Sequence, residues 1–99
     1  MPIDADKAFY DRADAHIDLS NTQTADADRG SVSASMMFAT ARFNAWLSAS
    51  SFQSGEQMAE KRGEAINYFV AQYKMMLQEN LDEYINNFER YMQPGAKRD

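Results

Sequence analysis

The sequence predicts an all-α protein, a three-helix bundle that runs up, down and up and ends in a long C-terminal helix. Apolar residues recur at steps of three and four in three successive segments, which is the spacing of an amphipathic helix. The connections between these segments are short, about four to six residues, and short connections favour antiparallel neighbours. The last segment is the longest and contains no proline.

Length and composition predict one domain, residues 1–93, followed by a disordered tail at 94–99. A chain of 99 residues has room for one modest core. The net charge of −5 argues against a nucleic-acid binder, which normally carries a basic patch. The chain has no cysteine, which excludes disulfides and thiolate metal sites and fits a reducing compartment. Since neither a signal peptide nor a membrane-spanning run is recognisable, we expect a cytoplasmic protein without membrane contact.

The first helix is predicted from Asp4 to about Thr24. Its stripe consists of Phe9, Ala13, His16 or Ile17, and Ser20. Gly30 is the expected stop, because glycine tolerates the backbone conformation that often ends helices. The boundary with the next helix is therefore placed at residues 26–31.

The second helix is predicted to begin with Ser31 or Ser33 as its N-cap and to run to about Ser50. Between residues 30 and 54 the chain has one basic residue, Arg42, and no acidic residue. A helix without a clearly charged side is typical of the interior. We therefore expect it to form the buried middle of the fold, with a subunit interface as the alternative.

The third helix is predicted to span Ser54–Met92 without interruption. Ser54 and Gln57 form a capping box at its start. A second capping box at residues 80–83 offers an alternative break near Asn80, but the apolar stripe crosses that point in phase. The stripe consists of Ile66, Phe69, Val70, Tyr73, Leu77, Leu81, Tyr84, Ile85, Phe88, Tyr91 and Met92.

A helix of this length extends about 55 Å and would project beyond the two shorter helices. The apolar residues on the projecting end then need a cover, and a second copy of the chain is the simplest one. The sequence therefore predicts a homo-oligomer, with a dimer favoured. The candidate interface residues are Tyr84, Phe88, Tyr91 and Met92.

Catalytic and metal-binding constellations are not recognisable, and we predict a non-enzymatic protein without cofactor or metal. His16 is the single histidine, so a histidine pair within one chain is excluded. Asp14 and Asp18 flank it, but residues two apart do not share a helix face. Acidic residues also form a ridge on the first helix, which is interpreted as a solvated face, with a site for a divalent cation or for a basic partner as the alternatives. The ridge consists of Asp4, Asp11, Asp14 and Asp18.

Arg42, Asn44 and Trp46 support a different hypothesis. Arg42 and Trp46 are one helical turn apart, and with Asn44 they could rim a pocket between helices for an anion or another small molecule. A structural ion pair of Arg42 beside a core tryptophan explains the same residues.

Three blocks of the sequence together resemble a family of short proteobacterial proteins known as domain of unknown function 3144. The blocks are FYDRADAHIDLSN, SASMMFATARFNAW and INYFVAQYKMMLQENLDEYINNFERY, within residues 9–91. The resemblance implies a small, single-domain bacterial cytoplasmic protein, and it implies no activity or site residue. The leading functional hypothesis is a self-associating interaction or regulatory module with a further protein partner. The alternative is the small-molecule or anion-binding protein with its pocket at Arg42, Asn44 and Trp46.

Overall fold

A computed structural model of the chain describes residues 5–93, and these residues form five α-helices and no strand. The predicted all-α fold class is therefore confirmed. Two of the predicted helices are present, and the third is divided into three consecutive helices. The five helices are α1 (Lys7–Gln23), α2 (Arg29–Ala49), α3 (Gly55–Glu60), α4 (Arg62–Asn86) and α5 (Phe88–Met92).

The chain consists of two compact units, and the boundary between them lies inside α2, between Ala45 and Trp46. The first unit contains α1 and most of α2. The second contains the end of α2 and the helices α3, α4 and α5, in which α4 contacts both α3 and α5. The single domain and the up-down-up course of the helices stay predictions, and the tail at 94–99 lies outside the described residues.

The first helix, α1, is fixed by a side-chain cap at its start. The Asp6 carboxylate accepts a hydrogen bond from the backbone N–H of Phe9 at 2.9 Å. The predicted start, Asp4, lies outside the described residues, and the predicted end near Thr24 is confirmed. The half-buried residues on the predicted stripe are Phe9, Ala13, Ile17 and Ser20, whereas His16 is exposed.

The start of α2 lies earlier than the sequence predicted. The Asp28 carboxylate accepts from the backbone N–H of Ser31 at 2.8 Å and from its hydroxyl at 3.0 Å. These bonds hold the pKa of Asp28 below its ordinary value, because they stabilise the ionised form. The predicted N-caps Ser31 and Ser33 are therefore wrong, since a carboxylate already caps the helix. Gly30 does not stop α1 and is the second residue of α2.

The prediction of α2 as the buried middle of the fold is also wrong. Only Val32, which is 6% exposed, is buried among its residues. Five large apolar side chains of α2 are exposed instead: Met37, Phe38, Phe43, Trp46 and Leu47. The absence of charge was misleading because large side chains are spread around the whole circumference, so no single packed face can cover them all.

The predicted N-cap Ser54 is confirmed, with its hydroxyl accepting from the backbone N–H of Gln57 at 3.1 Å. The return bond differs from the predicted capping box. The Gln57 side chain accepts from the backbone N–H of Gln53 at 2.9 Å, one residue before the cap. The helix then ends at Glu60, and Lys61 separates α3 from α4 with a non-helical φ of −105°. A glycine two residues later, Gly63, makes this a locally weak stretch of helix.

The helix α4 is continuous through Asn80, as the sequence favoured, but it ends before the predicted Met92. The Asn80 amide donates to the Met76 carbonyl at 2.8 Å without interrupting the helix. Asn87 donates in the same way to the Glu83 carbonyl at 3.0 Å, yet its φ of −127° ends α4. Asparagine side chains compete with the backbone for carbonyl groups, which makes such an interruption easier.

Candidate interaction surface

The middle of α4 is a helical segment without a packed side. Every residue from Tyr73 to Glu83 is exposed, over about three helical turns. The exposed residues of this segment include five large apolar side chains: Tyr73, Met75, Met76, Leu77 and Leu81. Most helical stability in proteins comes from packing an apolar face against a neighbour. This segment therefore lacks the packing that usually stabilises a helix.

Most exposed apolar residues of α4 form one line along the helix, which we call the α4 stripe. It consists of Ile66, Val70, Tyr73, Leu77, Leu81 and Ile85, each between 42% and 69% exposed. At 3.6 residues per turn, these six side chains fall within roughly 120° of the helix circumference. The half-buried residues of the first half lie on a different side: Ala65, Tyr68, Phe69 and Gln72. The packing within the second unit thus leaves the stripe open.

Carboxylates avoid the second half of the α4 stripe. Glu79, Asp82 and Glu83 project from the opposite side of the helix at the standard helical rotation. Lys74 is the one charged residue within the arc of the stripe, between the directions of Leu81 and Ile85. A surface that is apolar and free of carboxylates can approach another protein without a large desolvation cost.

At the corner between α4 and α5, side chains of the two helices contact each other. The rings of Tyr84 and Tyr91 stack with their centroids 4.4 Å apart and an interplanar angle of 25°. The Tyr91 hydroxyl donates to the Glu83 carboxylate at 2.6 Å. Arg90 donates to the Tyr91 hydroxyl at 2.9 Å and lies 3.6 Å from the Glu83 carboxylate. Its guanidinium also lies 4.7 Å from the centroid of the Tyr91 ring.

These bonds change the acidity of the tyrosine. The hydrogen bond to the Glu83 carboxylate raises the pKa of Tyr91 above its ordinary value, because the phenolate could not donate it. Arg90 acts in the opposite direction and offsets part of this effect. The corner thus joins the two helices through a local polar cluster, while its ion pair is solvent-exposed and contributes little by itself.

The four predicted interface residues fall into two pairs. Tyr84 and Tyr91 are half-buried in the ring stack of the corner. Phe88 and Met92 are 61% and 57% exposed and line a shallow open depression with Glu89 and Gln93. The assignment of these residues to an interface stays a prediction. The sequence had placed the α4 stripe among the residues to be covered, but it could not show that packing within the second unit leaves this stripe open.

The predicted pocket residues lie along α2. Arg42 is exposed and forms no ion pair within residues 5–93, Asn44 is half-buried, and Trp46 is 63% exposed. The predicted structural ion pair of Arg42 is therefore wrong for this part of the chain. The binding of an anion or small molecule by these residues stays a prediction.

The acidic ridge on α1 is solvated. Asp14 and Asp18 are exposed, as is His16, and Asp11 pairs with Lys7 at 2.8 Å on the surface. Asp4 lies outside the described residues. Across the described range, no three histidine, aspartate or glutamate side chains are grouped so that they could hold a metal ion. None of the helices in that range is both long enough and apolar enough to cross a membrane.

Comparisons with known proteins identify the family. No protein with a curated description matches the chain. A solved structure, the NMR structure of the protein NB7890A from Shewanella sp., is similar with a TM-score of 0.74 and 43% sequence identity. The match covers 90% of this chain and 95% of that one. The model of a family described as protein of unknown function (DUF3144) matches residues 9–85. Because that match spans most of the sequence, the chain belongs to the DUF3144 family.

Proposed function

We propose that this chain is a non-enzymatic interaction or regulatory module of the cytoplasm, and that it associates with a second copy of itself. The interface consists of the α4 stripe with Phe88 and Met92 of α5. The observation that carries the proposal is the exposed segment Tyr73–Glu83, in which large apolar side chains lie on a helix without a packed side. A regulatory protein partner would act on the dimer.

Two physical arguments support self-association. Contiguous exposed apolar surface on a protein this small marks an interaction site, because its burial is favourable at about 25 cal/mol per Å². The carboxylates of α4 lie away from the stripe, so two chains with a net charge of −5 can approach along this side with little repulsion. Asp11, Asp14 and Asp18 of the acidic ridge are exposed on α1 and are available to a basic partner.

The test is the solution mass of the purified chain, measured by light scattering over a dilution series from high to low micromolar concentration. We expect a species of twice the chain mass of 11.3 kDa that dissociates only at the dilute end. Raising the salt concentration should leave this species intact, since the surface is apolar and its interaction is not screened.

A chain that is monomeric at every concentration would overturn the proposal. A dimer that falls apart in moderate salt would also count against the apolar surface, because it would indicate an interface held by charge. Helical content, followed by circular dichroism in the same samples, shows whether α4 stays folded on dissociation.

A further inference from the structure

We propose that the two copies pair through their α4 stripes in antiparallel orientation, about a two-fold axis beside Leu77. This inference rests on the proposed function, because it specifies the geometry of that self-association. Three observations carry it: the spacing of the stripe, the distribution of charge along α4, and the area that the stripe exposes.

The spacing of the stripe is nearly the same in both directions from Leu77. Tyr73 and Leu81 lie four residues before and after it, and Val70 and Ile85 lie seven before and eight after it. A two-fold axis perpendicular to the helix reverses its direction, so an isologous interface needs a pattern that reads alike both ways. In such a pair, Leu77 faces its own copy, Tyr73 faces the partner's Leu81, and Val70 faces the partner's Ile85.

The charges of α4 favour the antiparallel orientation over the parallel one, and the effect is small because the carboxylates lie on the side of the helix away from the stripe. Before Leu77 the helix carries Arg62, Glu64 and Lys74, a net charge of +1. After Leu77 it carries Glu79, Asp82 and Glu83, a net charge of −3. A parallel pair brings the two acidic halves together, whereas an antiparallel pair sets each acidic half beside a basic one. The helix dipoles also oppose each other favourably in the antiparallel pair.

The exposed area is sufficient for a specific dimer. In this arrangement the five stripe residues from Val70 to Ile85 face the partner's stripe, whereas Ile66 lies opposite the partner's position 88, beyond the end of α4. With about half of each of the five exposed, at roughly 200 Å² for a large apolar residue, they offer about 500 Å² per copy. A symmetric pair therefore buries about 1,000 Å², which is about the minimum for a specific interface.

The experiment uses the absence of cysteine from the chain. Three full-length variants, Leu77→Cys, Val70→Cys and Ile85→Cys, are treated with a short bis-maleimide and examined by denaturing gel and mass spectrometry. We expect Leu77→Cys to be cross-linked to its own copy. Val70→Cys and Ile85→Cys should each stay uncross-linked alone, because the two copies of either residue lie about 21 to 24 Å apart along the axis. A mixture of these two variants should form the mixed product.

The outcomes separate this inference from the proposed function. Cross-linking of Val70→Cys and of Ile85→Cys each to its own copy would indicate a parallel pair and overturn the inference. A dimeric wild-type chain with variants that remain dimeric by light scattering, but without any cross-link, would overturn it too and leave the proposed self-association intact. A monomeric wild-type chain would overturn both and assign the stripe to a different protein.

Discussion

The helices α2 and α4 both expose large apolar side chains, but they arrange them differently. On α2 these residues surround the helix, whereas the α4 stripe occupies about a third of its circumference. Both helices expose several large apolar side chains, and they differ in how these side chains are distributed around the helix. A stripe can pack against one straight partner, and its spacing then determines the register of the pair. An all-round distribution specifies no register.

The largest expected effect is that of a charge at the centre of the α4 stripe. Leu77→Glu should weaken self-association by roughly 100-fold or more, because two carboxylates would face each other across the axis after losing water. The helix itself should persist, since leucine and glutamate have similar helix propensities. Sedimentation equilibrium measures the dissociation constant of each protein.

The matched control for this variant is Met75→Glu. Met75 is half exposed on the same helix, nearly opposite the stripe, and the substitution adds the same charge. We expect a dissociation constant within about two-fold of the wild type, because surface substitutions away from contacts have small effects. Equal weakening by both substitutions would show that the surface of α4 as a whole, and not the stripe, determines association.

A second pair of variants compares α5 with α2 directly. Phe88 and Phe38 are similarly exposed, at 61% and 67%. Phe88→Glu should weaken self-association by about 10-fold, since a residue near the rim of an interface stays partly solvated. Phe38→Glu should have an effect below two-fold. If Phe38→Glu has the larger effect in sedimentation equilibrium, the interface includes α2 and the comparison of the two helices fails.

The smallest effect is expected at the corner of α4 and α5. Tyr91→Phe should leave self-association unchanged, because the tyrosine is bonded within its own chain. The folded-state pKa of Tyr91 is raised, so its stabilising effect is fully present below the unfolded value of about 10 and is lost as the pH rises through the folded-state pKa. An absorbance titration of the phenolates should lose the component with the raised pKa in Tyr91→Phe.

Tyr10→Phe is the control for this titration, since Tyr10 is exposed and outside the corner. This variant should keep the component that belongs to Tyr91, whereas Glu83→Gln should lower the pKa of that component. If Tyr91→Phe weakens the dimer as strongly as Phe88→Glu does, Tyr91 belongs to the interface. The interpretation of the corner as a contact within one chain would then be wrong.

Much of the local structure could be predicted from the sequence. The Ser54 cap, the end of α1 near Thr24 and the continuity through Asn80 follow from interactions between residues three or four apart. The break at Asn87 could not be predicted, because Asn80 forms the same hydrogen bond to the carbonyl four residues earlier and the helix continues through it. The neighbouring polar cluster distinguishes the two positions, and it forms only when α5 returns to contact α4.

The sequence showed the candidate surface as an apolar stripe, but it did not show whether that stripe is exposed or covered. Periodicity shows which residues share a face, since it depends only on the helical repeat. Whether a face is covered depends on which other helix reaches it. In the structure Phe69 is partly covered, whereas Leu77 and Leu81 are exposed, although the sequence placed all three on one stripe.

The sequence by itself determined the all-α class, the Ser54 cap and the apolar stripe of α4, because these depend on local bonds and on helical spacing. Only the tertiary structure decided that the large apolar side chains of α2 are exposed, that Tyr84 and Tyr91 stack on each other, and that the α4 stripe is exposed. The physical reason is that hydrophobic burial is not directional. Any apolar surface that contacts these side chains can bury them, so their neighbours cannot be inferred from their spacing alone.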